Sequence, residues 1–308
     1  MTQQKAILIA GPTASGKSGL AMALADRLGG TIINSDSMQV YRELRVLTAR
    51  PSPEDEARIP HAMYGFVAGV DAYSAGRFAT DVTAAIAAVR AAGRVPIVVG
   101  GTGLYFKTLL EGLSPIPAIP LEVRAHWRTE AEQMGAENLH KVLGARDRVM
   151  AERLEPGDAQ RIVRALEVLE ATGRSLDEWQ KVPGVPIVRE EETTHLVVSP
   201  DRDELYRNCD ARLDAMMDQG AIEEVRALVA LGLDRDLPVM RALGVRPLMQ
   251  LLERDLGPVN ALAAVKAETR QYAKRQRTWL RGNMRSWKWL STQEMQSIVA
   301  GDMAFIDH

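Results

Sequence analysis

The sequence predicts an α/β fold: a parallel sheet flanked by helices, with a phosphate-binding loop (P-loop) at one strand end and a helical insertion domain. Three observations carry this. Short apolar runs alternate with helical segments over the first hundred residues, the pattern of a parallel sheet covered on both faces. The first run feeds into Gly11-x-x-x-x-Gly16-Lys17-Ser18, and a helical run rich in Ala and Leu follows. Further on, a helical stretch lies between two proline-rich segments, SPIPAIP at 114–120 and VPGVPIV at 182–188.

In chain order, 5–10 reads as a strand and 17–28 as a helix, TIIN (31–34) as a strand, 74–92 as a helix, VPIVV (95–99) as a strand and 104–111 as a helix. Ligands of such sheets sit at the carboxyl ends of the strands. The segments Gly11–Ser18, Ser35–Gln39 and Gly100–Gly103 are therefore expected to converge on one cleft. Helical periodicity runs from 121 to 181, HLVVS (195–199) returns to the sheet, and helices follow from 201 to about 290. The expected organisation is a core of residues 1–117 and 189–308 interrupted by an insertion at 118–188, hung between the proline hinges. The final stretch, MQSIVAGDMAFIDH, carries no assignment.

Composition bounds the class. With 308 residues, 46% hydrophobic, 25% charged and a net charge of -2, the chain is an ordinary globular one of about two domains. Its single cysteine, Cys209, excludes an internal disulfide and fits a reducing compartment. No apolar run approaches membrane-spanning length and none reads as a secretory signal, so a cytoplasmic protein without a membrane partner is expected. The near-neutral total conceals one asymmetry. From Arg270 to Lys288 there are seven basic residues and no acidic one.

The first loop is the strongest motif. Across Gly11, Pro12, Thr13, Ala14, Ser15, Gly16, Lys17 and Ser18, backbone N–H groups and the helix N-terminus cradle phosphate, Lys17 neutralises charge, and the Ser18 hydroxyl can coordinate Mg²⁺. Such loops usually hold ATP or GTP, yet the loop itself recognises only a di- or triphosphate. P-loop nucleotidases also carry a metal-holding acid at the end of a hydrophobic strand. Here PIVVGGTG ends in glycines and Thr102, and the acid follows an earlier strand, as Asp36 in INSDSMQVY. An aspartate there can hold a metal, act as a general base, or merely cap the next helix. Thr102 opens a helix after a second glycine turn, where donors favour an anion.

In the basic stretch, Arg270, Lys274, Arg277 and Arg281 fall within about 60° of one another on a helix, with Tyr272 and Trp279 opposite as core anchors. A polyphosphate chain fits that face better than a merely solvated surface, and interleaved aromatics suit RNA. Smaller basic groups add to it: Gln160, Arg161 and Arg164 share a helix face, and Arg241 and Arg246 bracket a Leu-Gly turn. The five histidines show no metal-ligand spacing, and neither a Gly-x-Ser-x-Gly elbow nor a Cys-x-x-Cys pair is present.

GPTASGKS, INSDSMQVY, VVGGTGLYFKTLLEGL, DAQRIVRALEV, MRALGVRPL and AKRQRTWLR, in this order, resemble bacterial tRNA dimethylallyltransferases from residue 7 to about 282. The resemblance implies that the loop grips the diphosphate of dimethylallyl diphosphate rather than a nucleotide. It implies transfer of the allyl group to N6 of the adenosine just 3′ of the anticodon, with Mg²⁺ on Ser18, Asp36 as general base, and Lys17 and Thr102 at the diphosphate. The family's diphosphate arginine maps to Arg226. RNA contacts map to Asp36, Ser37, Met38, Gln39 and Thr102, to Arg124, and to Gln160, Arg161, Ile162, Val163 and Arg164. They continue through Arg241, Ala242, Leu243, Gly244, Val245 and Arg246 to Lys274, Arg275, Gln276, Arg277, Thr278, Trp279, Leu280 and Arg281. The insertion is expected to close over the anticodon stem-loop, and a monomer is expected. Three rivals stay open: a small-molecule P-loop kinase, an isopentenyltransferase acting on free adenine nucleotides, and an RNA-binding nucleotide switch without catalysis.

Overall fold

A computed structural model of the chain describes residues 5–301. It divides into two compact units, one built from the chain up to Leu110 and from Ile187 onward, the other from Glu111–Pro186.

The first unit begins β1 (Ala6–Ala10), α1 (Lys17–Leu28), β2 (Gly30–Asn34), α2 (Pro53–Arg58), β3 (His61–Ala62), α3 (Ala75–Ala91), β4 (Val95–Gly100) and α4 (Gly103–Glu111). The strands form one sheet with those that return after residue 187. Every pairing is parallel, in the order β3-β2-β4-β1-β5-β6, where β5 is Thr193–Val198 and β6 is Lys288–Leu290. β1 lies centrally, with Ile7 opposite Ile97 of β4 and Thr194 of β5. Because successive strand side chains point to opposite faces, its apolar run feeds two cores. Ile7 and Ile9 join Leu20, Leu24, Ile97 and Val198 on one face, while Leu8 and Ala10 join Phe78, Val82, Phe106 and Val98 on the other. α3 covers the second face with Phe78, Val82, Ile86 and Val89 at helical spacing, and the Ser74 hydroxyl caps it by accepting from Arg77 N–H at 3.2 Å.

The second unit is helical: α5 (Leu121–Met134), α6 (Ala136–Arg146), α7 (Arg148–Arg153), α8 (Ala159–Thr172) and α9 (Leu176–Gln180). Trp127, Leu139, Leu143, Ile162 and Leu166 form its core. The division falls at 110/111 and 186/187, against the expected 117/118 and 188/189. Ile119 of the first proline run is buried in the helical core and Ile116 packs on it. Ile187 and Val188 instead donate to the Leu109 carbonyl at 2.8 and 3.1 Å.

After β5 come α10 (Arg202–Asp218), α11 (Ala221–Ala230), α12 (Val245–Leu252), α13 (Pro258–Asn283), β6 and α14 (Thr292–Ala300). The helices expected to about 290 thus stop at Asn283, and an edge strand intervenes. Three residues are too few for periodicity to register, and pairing with β5, distant in sequence, defines that strand. α14 packs on α1, where Arg27 donates to the carbonyls of Ile298 and Val299. It covers part of the unassigned C-terminal stretch, and residues 302–308 lie outside the described residues.

Candidate active site

The three strand-end segments meet. Gly11 N–H donates to the Gly100 carbonyl at 3.3 Å, and Thr102 N–H to the Ser35 carbonyl at 3.3 Å. A Cβ at Gly100 would collide with the Ser35 backbone, so only glycine lets the segments approach. Gly16 closes the P-loop at φ +90, a conformation that costs glycine little, and Lys17 starts α1.

Two distant helices clamp this loop. From α13, Gln276 accepts from Thr13 N–H at 2.8 Å and donates to the Gly101 carbonyl at 2.9 Å, tying the two glycine turns together. From α10, Arg212 donates to the Thr13 hydroxyl and the Cys209 thiol to the Thr13 carbonyl at 3.9 Å. The Lys17 ammonium donates to the Pro12 carbonyl at 3.1 Å. Burial pulls its pKa down to about 8; nearby Asp36 opposes that, and Arg212 adds to it. Burial likewise lowers Arg212. Two cations are thus held close together in a desolvated place, and the Ser15 hydroxyl is buried there without a partner. Such a donor set suits an anion with several acceptor oxygens.

Asp36 is fixed from its own loop. Asn34 accepts from Asp36 N–H at 2.8 Å and donates to the Asp36 and Met63 carbonyls, while Asp36 Oδ1 accepts from Met38 N–H at 2.9 Å. That is a local turn rather than a helix cap, since no helix begins between Asp36 and Pro53. The Thr102 hydroxyl accepts from Ser37 N–H at 3.0 Å, which makes it a brace for the Asp36 turn.

A cleft of about 270 Å³ joins these groups. Its lining combines Thr13, Asp36, Ser37, Thr48, Arg212, Arg241, Tyr272 and Arg275 with the apolar Leu47, Leu213, Met216 and Val265. Tyr272, expected as a core anchor, is a cleft wall, where burial and then Asp36 raise its phenol pKa.

Several sequence-predicted residues are placed otherwise. Arg226 lies on α11 with its side chain 61% exposed, 3.6 Å from Glu223; Arg212 is the arginine at the loop. A signal for Arg212 existed, an arginine on the otherwise apolar Cys209–Leu213–Met216 face of α10. Gln276, Leu280, Ile162, Ala242 and Val245 are buried, as is Gly244, so they turn into the protein rather than toward solvent. The predicted segments are contiguous, but a helix turns every 3.6 residues and buries one side of each. The Gln39 amide donates to the Thr48 and Ala49 carbonyls at 2.8 and 3.0 Å, holding a loop. Trp279 and Val163 are half-buried against apolar clusters, and Met38 packs at the cleft.

The exposed remainder is basic. Lys274, Arg275, Thr278 and Arg281 face solvent on α13 and Arg277 is half-buried; none of Lys274, Arg277 and Arg281 pairs with an acid among the described residues. Arg270 is bound to Asp210 at 2.6 and 2.9 Å and drops out of the free set. Arg246 and Leu243 line a groove of about 710 Å³ with Arg241, which pairs with Asp236 at 2.6 Å. In the helical unit Arg161 pairs with Asp158 and Arg164 with Glu167, Gln160 is exposed, and Arg124 Nε is buried without a partner. Among the described residues no three His, Cys, Asp or Glu side chains gather to hold a metal; His308 lies outside them.

Known proteins match this chain along most of its length. The IPP transferase family matches residues 39–283, and isopentenyl transferase matches 4–60. A tRNA dimethylallyltransferase of Parvibaculum lavamentivorans is 53% identical over 303 residues, 98% of this chain and 96% of that one. One from Nitrobacter hamburgensis is 50% identical, covering 95% and 92%. Among solved structures, a eukaryotic dimethylallyltransferase acting on tRNA superposes with a TM-score of 0.81 at 28% identity, over 98% of this chain and 79% of that one. The tRNA isopentenylpyrophosphate transferase of Bacillus halodurans gives 0.68 at 28%, over 99% and 97%. On this match, with its P-loop and its cleft aspartate in place, the chain belongs to the IPP transferase family.

Proposed function

We propose that the chain transfers the dimethylallyl group of dimethylallyl diphosphate to N6 of the adenosine 3′-adjacent to the anticodon in tRNA, releasing diphosphate. One observation carries the reading: a single cleft is lined by Thr13 of the phosphate loop, the Arg212 guanidinium bound to it, the oriented carboxylate of Asp36 and an apolar wall. The loop amides, Lys17 and Arg212 bind the diphosphate and stabilise it as the C1–O bond breaks. N6 then bonds to C1, and Asp36 accepts the N6 proton. Thr102 and Asn34 keep the carboxylate aimed.

Mg²⁺ fits the same place. Ser18 is exposed at the first turn of α1, and hydroxyl and phosphate oxygens are the hard donors this ion takes. With no acidic cluster to hold it among the described residues, Ser18 and the substrate would share it. When bound it neutralises charge on the leaving diphosphate.

The target base is flipped out of the anticodon loop into the cleft. Lys274, Arg277, Arg281 and Arg246 hold phosphates, and the helical unit adds Arg124, Gln160, Arg161 and Arg164 on the stem-loop. No described helix is long and apolar enough to cross a membrane. The working form is a cytoplasmic monomer.

Labelled dimethylallyl diphosphate offered with an anticodon stem-loop, AMP or ATP tests the reading. Label on the stem-loop alone is the expected result, and transfer to AMP or ATP would move the chain to the free-nucleotide enzymes. Replacing Lys274, Arg277 and Arg281 together with Gln is expected to flatten the salt dependence of RNA binding by roughly one log–log unit per lost phosphate contact. An unchanged slope returns this face to ordinary solvation. Arg212→Ala is expected to lower kcat/KM for the donor about ten- to hundredfold, the scale of a charged hydrogen bond. Arg226→Ala is expected to leave it near wild type. The reverse order in steady-state kinetics would restore Arg226 to the site.

A further inference from the structure

The cleft is graded, and the two helices that line it act as a ruler. α10 and α13 run antiparallel, because Asp210 pairs with Arg270 and, four residues later, Asp214 pairs with Lys266, four residues earlier. α10 presents Cys209, Arg212, Leu213 and Met216 to the cleft, one face at helical spacing, and α13 presents Arg275, Tyr272, Thr269 and Val265. Read along the pair in that register, Tyr272 and Cys209 come first, Thr269 and Arg212 next, and Leu213, Val265 and Met216 lie farthest from them. Leu47 completes that end.

The wall formed by Leu47, Leu213, Met216 and Val265 is apolar, while Thr48, Arg241 and Arg275 line other parts of the cleft. Leu47, Leu213, Met216 and Val265 are each buried and belong to one core cluster. None of their side chains has an N–H or O–H to donate, or an oxygen to accept. The ring nitrogens of a base placed against them would lose their hydrogen bonds, whereas a hydrocarbon loses nothing. Met216 stands four residues beyond Arg212, about 6 Å along the helix at 1.5 Å per residue. From its reacting carbon, a dimethylallyl group extends through three carbon–carbon bonds of about 1.5 Å each. With the diphosphate held at Arg212, the breaking C–O bond and these three bonds together span about 5 Å, so the methyl groups would end near the Met216 level.

We infer that Met216, with Val265 across the cleft, sets the donor's chain length by closing the cleft one five-carbon unit from the diphosphate. This rests on the donor reading above. A ten-carbon allylic diphosphate carries a second unit that meets Met216, and behind Met216 the core is packed. Methionine suits such a stop: it is unbranched and fills the end of a gap, so shortening it opens space without moving backbone.

The test compares dimethylallyl and geranyl diphosphate as donors to an anticodon stem-loop, in the wild type, Met216→Ala and Val265→Ala. In the wild type the five-carbon donor is expected to be strongly preferred. In Met216→Ala, and in Val265→Ala should the first variant not fold, the ratio of kcat/KM values is expected to shift toward geranyl by at least about tenfold, the lower scale of pocket discrimination for one methylene. Two outcomes overturn the inference: a wild-type ratio in the folded variants, or a wild-type ratio with a raised KM for the stem-loop, which assigns the wall to the base. Failure of the donor reading looks different, since the wild type then transfers neither group.

Discussion

Asp36→Asn is expected to lower turnover by about 10² to 10⁴ while leaving the affinity for both substrates little changed, the range for loss of a general base. The structure makes this substitution discriminating. Asp36 Oδ1 accepts from Met38 N–H, and an asparagine keeps an oxygen in that place. Asn34 holds the residue through its backbone, which the substitution leaves alone. The turn therefore survives and basicity alone is lost. Single-turnover kinetics with bound substrates isolate the chemical step. Recovery of most of the rate at high Mg²⁺ would recast Asp36 as support for a metal. Near-wild-type turnover in a folded variant would end its role as base.

Lys17→Ala is expected to cost on the order of 10² to 10³ in turnover, as when a pre-organised donor to a developing negative charge is removed. RNA binding is expected to stay near wild type, because the ammonium is folded over the loop at the Pro12 carbonyl rather than on the exposed basic face. Loss of RNA affinity with normal turnover would contradict this placement. A pH signature accompanies it. Desolvation holds Lys17 at about 8 in the free protein, so the ammonium is present below that pH and lost above it. A bound diphosphate favours the charged form and raises the pKa again. The donor KM is therefore expected to be flat below about pH 8 and to climb above it, by as much as tenfold per pH unit. Calorimetry at pH 8.5 in buffers of different ionisation heat checks this, since donor binding then takes up protons. A flat profile to pH 10 would place the charge elsewhere.

Local sequence determined much. The strand, glycine turn and helix around Gly11–Ser18 are specified by residues within a few positions of one another. The apolar alternation in Ile7–Ala10 assigns side chains to two faces without knowledge of what packs there. Asp36 followed from its place two residues past a strand, because parallel sheets bring their carboxyl ends together. The basic helix was legible as charge per turn.

What escaped depends on which residues meet across long stretches of chain. Arg212 and Arg226 are both arginines on amphipathic helices, and only the docking of α10 against Thr13 tells them apart. Gln276 sits inside a basic run and reads as an RNA contact. It lies 263 residues from Thr13 in sequence, and their hydrogen bond makes it the tie between two loops. Tyr272 lies opposite the basic face as expected, but that face meets a cleft there rather than core. β6 has no local signal apart from its partner β5. Sequence by itself determined the phosphate loop, the order of strands and helices near it, and the carboxylate beside it, because those follow from short-range backbone chemistry and side-chain period. Which cations turn inward, which amide locks the loops, and where the cleft ends were decided only by tertiary packing, because burial and partner are properties of helices brought together across the whole chain.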